Sequence, residues 1–391
     1  MGGRGVAEGG RFTAGDPLRG VAALALIVFH LGLGSVLGNY GSGGYEAFDE
    51  GLGPVIGRVI MHLEVGVYLF FALSGYLLFR PVIRAWVNGE HQPRIASYAR
   101  NRALRIIPVF WVVVVITLLV FGTRGSSLWQ ILAVPLFVQQ YVGGEFEGTI
   151  GQAWTLDTEI QFYAFLPLFA LALFAVLGRG GGRKVGLVLG ALALVFILSI
   201  GWRITGPDSF PYQRTLPAAL CLFVPGLVLA ALEQWLPARL TPARAKLIAA
   251  CLLGVAVVGF VCYASVVQER LFWRAAFTCM VSGGLLGAPL VLEWARLPSP
   301  RVLDNRAMQW VGARAYPIYL LHGMVGLKAL TVADEFSGAW TWFAVLMAIT
   351  LPVTLVGADI LHRFVEVPML RLRSRPPRLD TRRPAVQSTA P

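Results

Sequence analysis

The chain is 391 residues long, 56% hydrophobic and only 14% charged, against about 25% charged in an ordinary soluble domain. No polar half remains that could fold as a separate water-soluble unit, so one membrane domain is expected to occupy nearly the whole chain. The net charge of +12 does not imply a nucleic-acid partner. The basic residues gather in alternate loops, where orientation and anionic headgroups account for them, and no stacking platform accompanies them.

Residues 1–17 form a Gly-rich tail with Arg4 and Arg11, ahead of Arg19 and the first apolar run. It resembles the start of a signal peptide but lacks a convincing small-residue cleavage site, so the run is read as an uncleaved helix. Apolar spans then appear near 19–38, 61–79, 106–122, 159–177, 185–204, 215–233, 247–267, 271–293, 312–330 and 340–361. Each approaches the roughly 20 residues a helix needs to cross a bilayer, and lipid cannot satisfy the backbone of anything less regular. Residues 128–142 are apolar but short, and a full span there would reverse every later loop. The spacing predicts an all-α membrane protein: a bundle of about ten transmembrane helices plus one short re-entrant or interfacial helix. The domain runs over 18–370, followed by a basic cytoplasmic tail, 371–391, expected to be disordered.

Loop charge fixes the expected orientation. One set of loops carries Arg80, Arg84, Arg94, Arg100, Arg102 and Arg105, then Arg179, Arg183 and Lys184, then Arg239, Arg244 and Lys246, then Arg296, Arg301 and Arg306. The opposite set is acidic, with Glu46, Asp49, Glu50, Glu145, Glu147, Asp157, Asp334 and Glu335. Positive-inside logic puts the basic set and both termini in the cytoplasm, with the chain in the inner (plasma) membrane. The four cysteines, Cys221, Cys251, Cys262 and Cys279, lie in apolar spans without a CxxC pair and read as small hydrophobes. Walker, GxSxG and HExxH motifs are absent, and the five histidines are dispersed without metal-ligand spacing, so no metal site is expected.

Ionisable groups inside a span are costly and therefore candidates for function. Arg19 and His30 are 11 residues apart, which leaves only about 20° of rotation between them and about 16 Å along the axis. Both share one face, with Arg19 at the rim and His30 near the middle of the bilayer. The pair suits an anion gripped at the mouth and a proton-trading base inside. It equally suits a snorkelling arginine and a histidine bonded to a neighbouring helix. His322 sits at a similar depth on the ninth span, sharing a face with Tyr319, and Pro317 reads as a kink. Glu159 either belongs to a helix start capped by Thr155 or projects into the bundle to orient a histidine. Arg100, Arg102 and Arg105 serve orientation and lipid contact, a docking surface for a polyanionic nucleotide such as coenzyme A, or both. His62 and Glu64 lie where they could contact an acceptor. His91 and His362 read as ordinary surface residues.

In order along the chain, these blocks resemble the acyltransferase 3 family of integral-membrane O-acyltransferases. Leu18-Arg19-Gly20 to Phe29-His30 reproduces its Arg-x10-His signature. Gly66-Val67-Tyr68 to Ser74-Gly75-Tyr76, Arg105-Ile106-Ile107-Pro108, Trp154-Thr155-Leu156-Asp157-Thr158-Glu159 with Phe162-Tyr163, Tyr316 to His322, and Glu366-Val367-Pro368 follow. The resemblance implies acyl transfer from acyl-CoA, a co-substrate rather than a tightly bound cofactor, to a hydroxyl of a glycan, lipid-linked sugar or natural product. It implies roles for Arg19, His30 and Glu159. Two positions depart from the family pattern: Tyr68 stands where many relatives have Asp, and Ile160 where a second acid is common.

The expected mechanism has acyl-CoA phosphates on Arg19, Arg100, Arg102 and Arg105, with His30 as general base, oriented by Glu159 or a neighbour. Tyr163, Tyr316, Tyr319 and His322 line the substrate cavity or stabilise an oxyanion. An acyl-histidine relay is a variant. The alternative class is a transporter or flippase for an acylated or glycosidic lipid, whose buried polar groups line a path. Internal repeats that would point to an inverted-repeat transporter are not evident.

Overall fold

A computed structural model describes residues 12–41, 45–142, 150–178, 180–207, 210–265 and 271–373. The expectations for residues 1–11 and 374–391, and for Glu145, Glu147 and Arg179, lie outside the described residues.

The described residues form helices and connecting turns, with no strand among them. Ten long helices follow in order: α1 (Gly15–Tyr40), α2 (Val65–Asn88), α3 (Ile95–Phe121), α4 (Trp154–Leu177), α5 (Val185–Thr205), α6 (Leu216–Leu232), α7 (Pro242–Ser265), α8 (Leu271–Trp294), α9 (Ala315–Ala333) and α10 (Ala339–Leu361). Each predicted span falls on one of them. Eight helical segments, containing α1–α5, α7, α8 and α10, are long and apolar enough to cross a membrane. The other two are α6, apolar but only 17 residues long, and α9, 19 residues long with Tyr316, Tyr319, His322 and Lys328 among its apolar residues.

The short apolar stretch is broken into Leu128–Ala133 and Gln139–Val142. The first is started by a capping box, Ser127 with Gln130, and at six residues it is far short of the roughly 20 a crossing helix requires. Pro317 does not kink a span. It is the third residue of α9, in the first turn, where a missing N–H leaves nothing unsatisfied.

The exterior of the helices is apolar, and polar groups are buried within a largely apolar core. Leu119 is 81% and Val176 85% exposed, whereas Thr117, Thr350 and His322 are fully buried. An uninterrupted apolar exterior on helices is what lipid demands. Small residues let the helices approach closely. A Cβ on Gly226 of α6 would lie 1.8 Å from the Ala72 carbonyl of α2, and one on Gly75 of α2 would lie 2.5 Å from the Phe223 carbonyl of α6. At the centre, α1 packs against α2, α9 and α10, which brings the polar faces of α1 and α9 together.

Candidate active site

Two cavities lie back to back inside the bundle. The smaller, of about 80 Å³, is lined by Arg19 (α1), Arg102 and Arg105 (α3), Glu159 and Tyr163 (α4), and Tyr316 (α9), with apolar side chains of α2. The larger, of about 990 Å³, is lined by His30 (α1), His322 (α9), His62, Glu64 and Tyr68, among others. Val67 and Tyr319 line both and form the wall between them. The small cavity lies toward the arginine-rich face and the large one toward the acidic face, because Arg19 and His30 are 11 residues apart on the same helix.

In the small cavity the Glu159 carboxylate accepts hydrogen bonds from Ser74 Oγ and Tyr163 Oη, both at 2.5 Å. Thr155 does not cap α4, whose N-cap Ala153 has no side-chain bond. Its hydroxyl instead lies 2.7 Å from Tyr319 Oη, and Tyr319 donates to the Gln152 carbonyl. Tyr316 donates to the Ile106 carbonyl at 2.8 Å. Both tyrosine protons are therefore held by backbone, so these rings act as fixed walls. Arg19 pairs with Asp16 at 2.7 Å.

The remaining cations are short of partners. Arg102 sits over the Tyr163 ring, 5.9 Å from its centroid, with Nε buried and without a hydrogen-bond partner among the described residues. Arg373, at the end of the described chain, has Nε and Nη2 in the same state. Burial, then the charges of Arg105 and Arg102, pull the Arg373 guanidinium down to about 10. Crowded guanidinium groups with nitrogens short of hydrogen-bond partners among the described residues are primed for an anion. Arg100 stands apart, exposed and outside both cavities.

The large cavity holds the histidines. His30 Nδ1 is 2.8 Å from the Leu26 carbonyl and 3.1 Å from His322 Nε2. A carbonyl only accepts, so His30 Nδ1 carries the proton and His322 Nε2 receives it in part. His322 then keeps its own proton on Nδ1, which faces the Ile318 carbonyl at 3.3 Å. This tautomer assignment, inferred from the network, leaves His30 Nε2 with a lone pair and no partner among the described residues, on a residue that lines the large cavity. The neighbour that orients His30 is His322, while Glu159 lies in the other cavity.

His362 is not an ordinary surface residue. Its Nδ1 lies 2.8 Å from the carboxylate of Glu366, which is 3% exposed, across a π turn spanning His362–Glu366. His91 is exposed, as expected. The reading of the sequence missed Arg203, Arg214 and Arg274, which also line the large cavity. The available signal was their place toward the face with the acidic loops, where positive-inside logic disfavours arginine.

A lipid-facing helical bundle enclosing an arginine-lined cavity and a histidine-lined one defines a multi-pass membrane protein with a buried polar site. Residues 16–359 match the acyltransferase domain of the acyltransferase 3 family, and the chain belongs to that family. It is 24% identical over 377 residues to the peptidoglycan O-acetyltransferase OatA of Listeria monocytogenes. It is 25% identical over 388 residues to YrhL of Bacillus subtilis, a candidate peptidoglycan O-acetyltransferase, and 21% identical over 384 residues to a candidate O-acetyltransferase of Staphylococcus aureus. These matches cover 90% of the chain but 55%, 54% and 56% of the relatives, so the chain spans about half the length of the curated relatives it matches. No solved structure matches it.

Proposed function

We propose that the chain is an O-acyltransferase that moves a short acyl group, acetyl in the first instance, from acyl-CoA to a hydroxyl of a glycan or natural product. The observation that carries this reading is the pair of cavities meeting at Val67 and Tyr319, with unpaired guanidinium nitrogens beside one and an unpartnered imidazole nitrogen facing the other. The basic loops favour an orientation in the inner membrane with the arginine-rich face toward the cytoplasm, where acyl-CoA is made. Relatives named for peptidoglycan O-acetylation support a glycan as the acceptor class.

The donor phosphates rest on Arg102, Arg105 and Arg19, with Arg373 alongside. The thioester end enters the small cavity. At about 80 Å³ that space is about half the roughly 150 Å³ of an engineered cavity that takes up benzene, so it admits an acetyl-sized group and not a long chain. The acceptor hydroxyl reaches His30 from the large cavity. As its oxygen attacks the thioester carbonyl, its proton passes to His30 Nε2. The new imidazolium is stabilised by the Leu26 carbonyl and His322 Nε2 at its other nitrogen. The tetrahedral intermediate collapses to the ester, and the departing CoA thiolate takes the proton back from His30. General-base assistance of this kind contributes about 10²–10⁴-fold.

The test is CoA release and acyl transfer by purified protein in lipid nanodiscs supplied with labelled acetyl-CoA and a peptidoglycan-derived oligosaccharide. Transfer lost in His30→Ala, with acetyl-CoA still bound, supports the proposal. Transfer at the wild-type rate in His30→Ala, or movement of lipid without CoA release, overturns it.

A further inference from the structure

A base alone does not decide which hydroxyl of an acceptor reacts. The cavity beside His30 has a volume of about 990 Å³, at the upper end of the range of about 300–1,000 Å³ typical of sites that enclose a small ligand. In so wide a space, one hydrogen bond to His30 Nε2 leaves an acceptor free to turn about it. Orientation accounts for much of a catalysed rate, so a second fixed point matters. Glu64 stands where that point is needed. It is the one carboxylate lining this cavity among the described residues, whereas Glu159 lines the other. Its depth is set by packing of α2 on α1. A Cβ on Gly66 would lie 2.6 Å from the Ala22 carbonyl oxygen and 3.2 Å from Leu26 Cγ, so the two helices meet there with no room between them. From that contact His30 lies four residues beyond Leu26, and Glu64 two residues before Gly66. At the helical rise these steps are about 6 Å and about 3 Å, both toward the face with the acidic loops. The two side chains therefore enter the cavity at similar depth, and the charge of Glu64 acts on the His30 ring.

Only one of the two carboxylate oxygens is engaged by the protein. Arg274 of α8 donates to Oε1 at 3.1 Å, and the hydroxyl of Tyr263 in α7 donates to the same atom. Two helices thus pin the group in place. Oε2 has no hydrogen-bond partner among the described residues and is not buried. The Glu64 side chain is 28% exposed, on a residue that lines the cavity. A carboxylate offers about four acceptor positions. An ion pair that served only to join α2, α7 and α8 would gain nothing from an oxygen left open to the cavity, and a charge within a span is costly unless used.

We propose that Glu64 determines acceptor specificity: Oε2 accepts a hydrogen bond from one hydroxyl of the acceptor while another hydroxyl of the same molecule donates to His30 Nε2 and becomes the nucleophile. The acceptor is then a polyhydroxy compound, and a simple alcohol is a poor substitute. Hydrogen bonds to an ionised carboxylate are about twice as strong as those between neutral groups. A site built to bond a hydroxyl discriminates against an analogue that lacks it, because its own polar group is then left unmatched. The anchoring of Oε1 keeps Oε2 in one place, so the contact selects among the hydroxyls of a ring as well as among molecules. The role of the second hydroxyl as nucleophile rests on the acyl-transfer reading, while the contact with Glu64 does not.

The test compares two probes with the same carbon ring, myo-inositol and cyclohexanol, as acceptors for labelled acetyl-CoA with full-length protein in lipid nanodiscs. The quantity read is the ratio of their kcat/KM values, in which any general effect on His30 cancels. Wild-type protein favours inositol. Glu64→Gln, which keeps an oxygen for Tyr263 and Arg274 but replaces Oε2 by an uncharged amide, lowers the ratio by about tenfold through the KM for inositol, the effect of losing one charge-assisted hydrogen bond. The KM for acetyl-CoA stays at the wild-type value and reports intact folding. A merely structural pair would lower transfer to both acceptors alike. Saturation-transfer difference NMR of inositol on the same proteins measures binding without chemistry. A ratio unchanged by Glu64→Gln, or inositol contact that survives it, overturns the proposal and leaves acyl transfer standing. Glu64-dependent inositol contact in a protein that transfers nothing to either probe removes the enzymatic reading and leaves the polyol contact. Absence of both transfer and contact in the wild type overturns both.

Discussion

His322 Nε2 lies 3.1 Å from His30 Nδ1 although 292 residues separate them in the chain. One imidazole thereby fixes the tautomer and the tilt of the other. The relationship predicts distinct outcomes for the two residues. Removing His30 abolishes the base. His322→Ala removes one hydrogen bond, worth about 1–1.5 kcal/mol net, and lowers kcat by about tenfold with the KM for acetyl-CoA unchanged. His322→Gln, whose amide oxygen can accept from Nδ1–H, restores part of the rate. Steady-state kinetics on the three variants check this, and a purely structural role for His322 would move KM and folding as well.

Arg100 and Arg102 are two residues apart but differ in their surroundings. Arg102 lines the small cavity and Arg100 does not. Arg102→Gln and Arg105→Gln raise the KM for acetyl-CoA by about tenfold or more, since each charge-assisted hydrogen bond contributes about 1.5–3 kcal/mol. Arg100→Gln leaves it within about twofold, as exposed charges contribute little. Donor titrations at two salt concentrations separate the contacts from general attraction.

Arg373 sits beside Arg105 and Arg102, and the crowding that lowers its guanidinium to about 10 disfavours the donor-free protein. Arg373→Gln therefore raises Tm in the absence of CoA, by about 2 °C if it relieves half a kilocalorie or so, and weakens donor binding. The sign of the pH effect follows: Arg373 is charged below its lowered value and neutral above it, so its attraction for the donor is complete at pH 8 and fades as pH rises through about 10. Differential scanning fluorimetry and CoA titrations between pH 7 and about pH 10 measure both effects.

Gly323 adjoins His322 and leaves room for Gln152. A Cβ there would lie 2.5 Å from Gln152 Oε1, whose amide donates to the Leu320 carbonyl at 2.9 Å. Gly323→Ala pushes Gln152 aside, costs about 1–3 kcal/mol of stability, and disturbs the Tyr319 wall because Tyr319 bonds the Gln152 carbonyl. Thermal unfolding in detergent and the rate of CoA release without acceptor report the two consequences.

Much of the bundle was legible because crossing a bilayer imposes length and apolarity on every span, and those survive in linear order. The Arg19–His30 spacing was legible for the same reason: both residues sit on one regular helix. What was not legible depends on which helices touch. One reading of the sequence had Glu159 project into the bundle to orient a histidine, whereas packing of α1 against α9 pairs His30 with His322, and packing of α4 against α2 gives Glu159 to Ser74. The kink expected at Pro317 disappeared because the helix starts only two residues earlier, a boundary that hydropathy does not resolve. His362 looked like surface until the π turn brought it to a buried Glu366.

Where two hollows meet, the hydrocarbon barrier thins to a single layer of side chains, Val67 and the Tyr319 ring. Tyr319 is 6% exposed and held at its hydroxyl by Thr155 and the Gln152 carbonyl. That anchoring makes the ring an insulator as well as a partition. A cell that stores energy as an ion gradient cannot tolerate a wet passage from one compartment to the other, so on the proposed reaction this boundary opens only while donor and acceptor fill the two spaces and keep water and protons out of them.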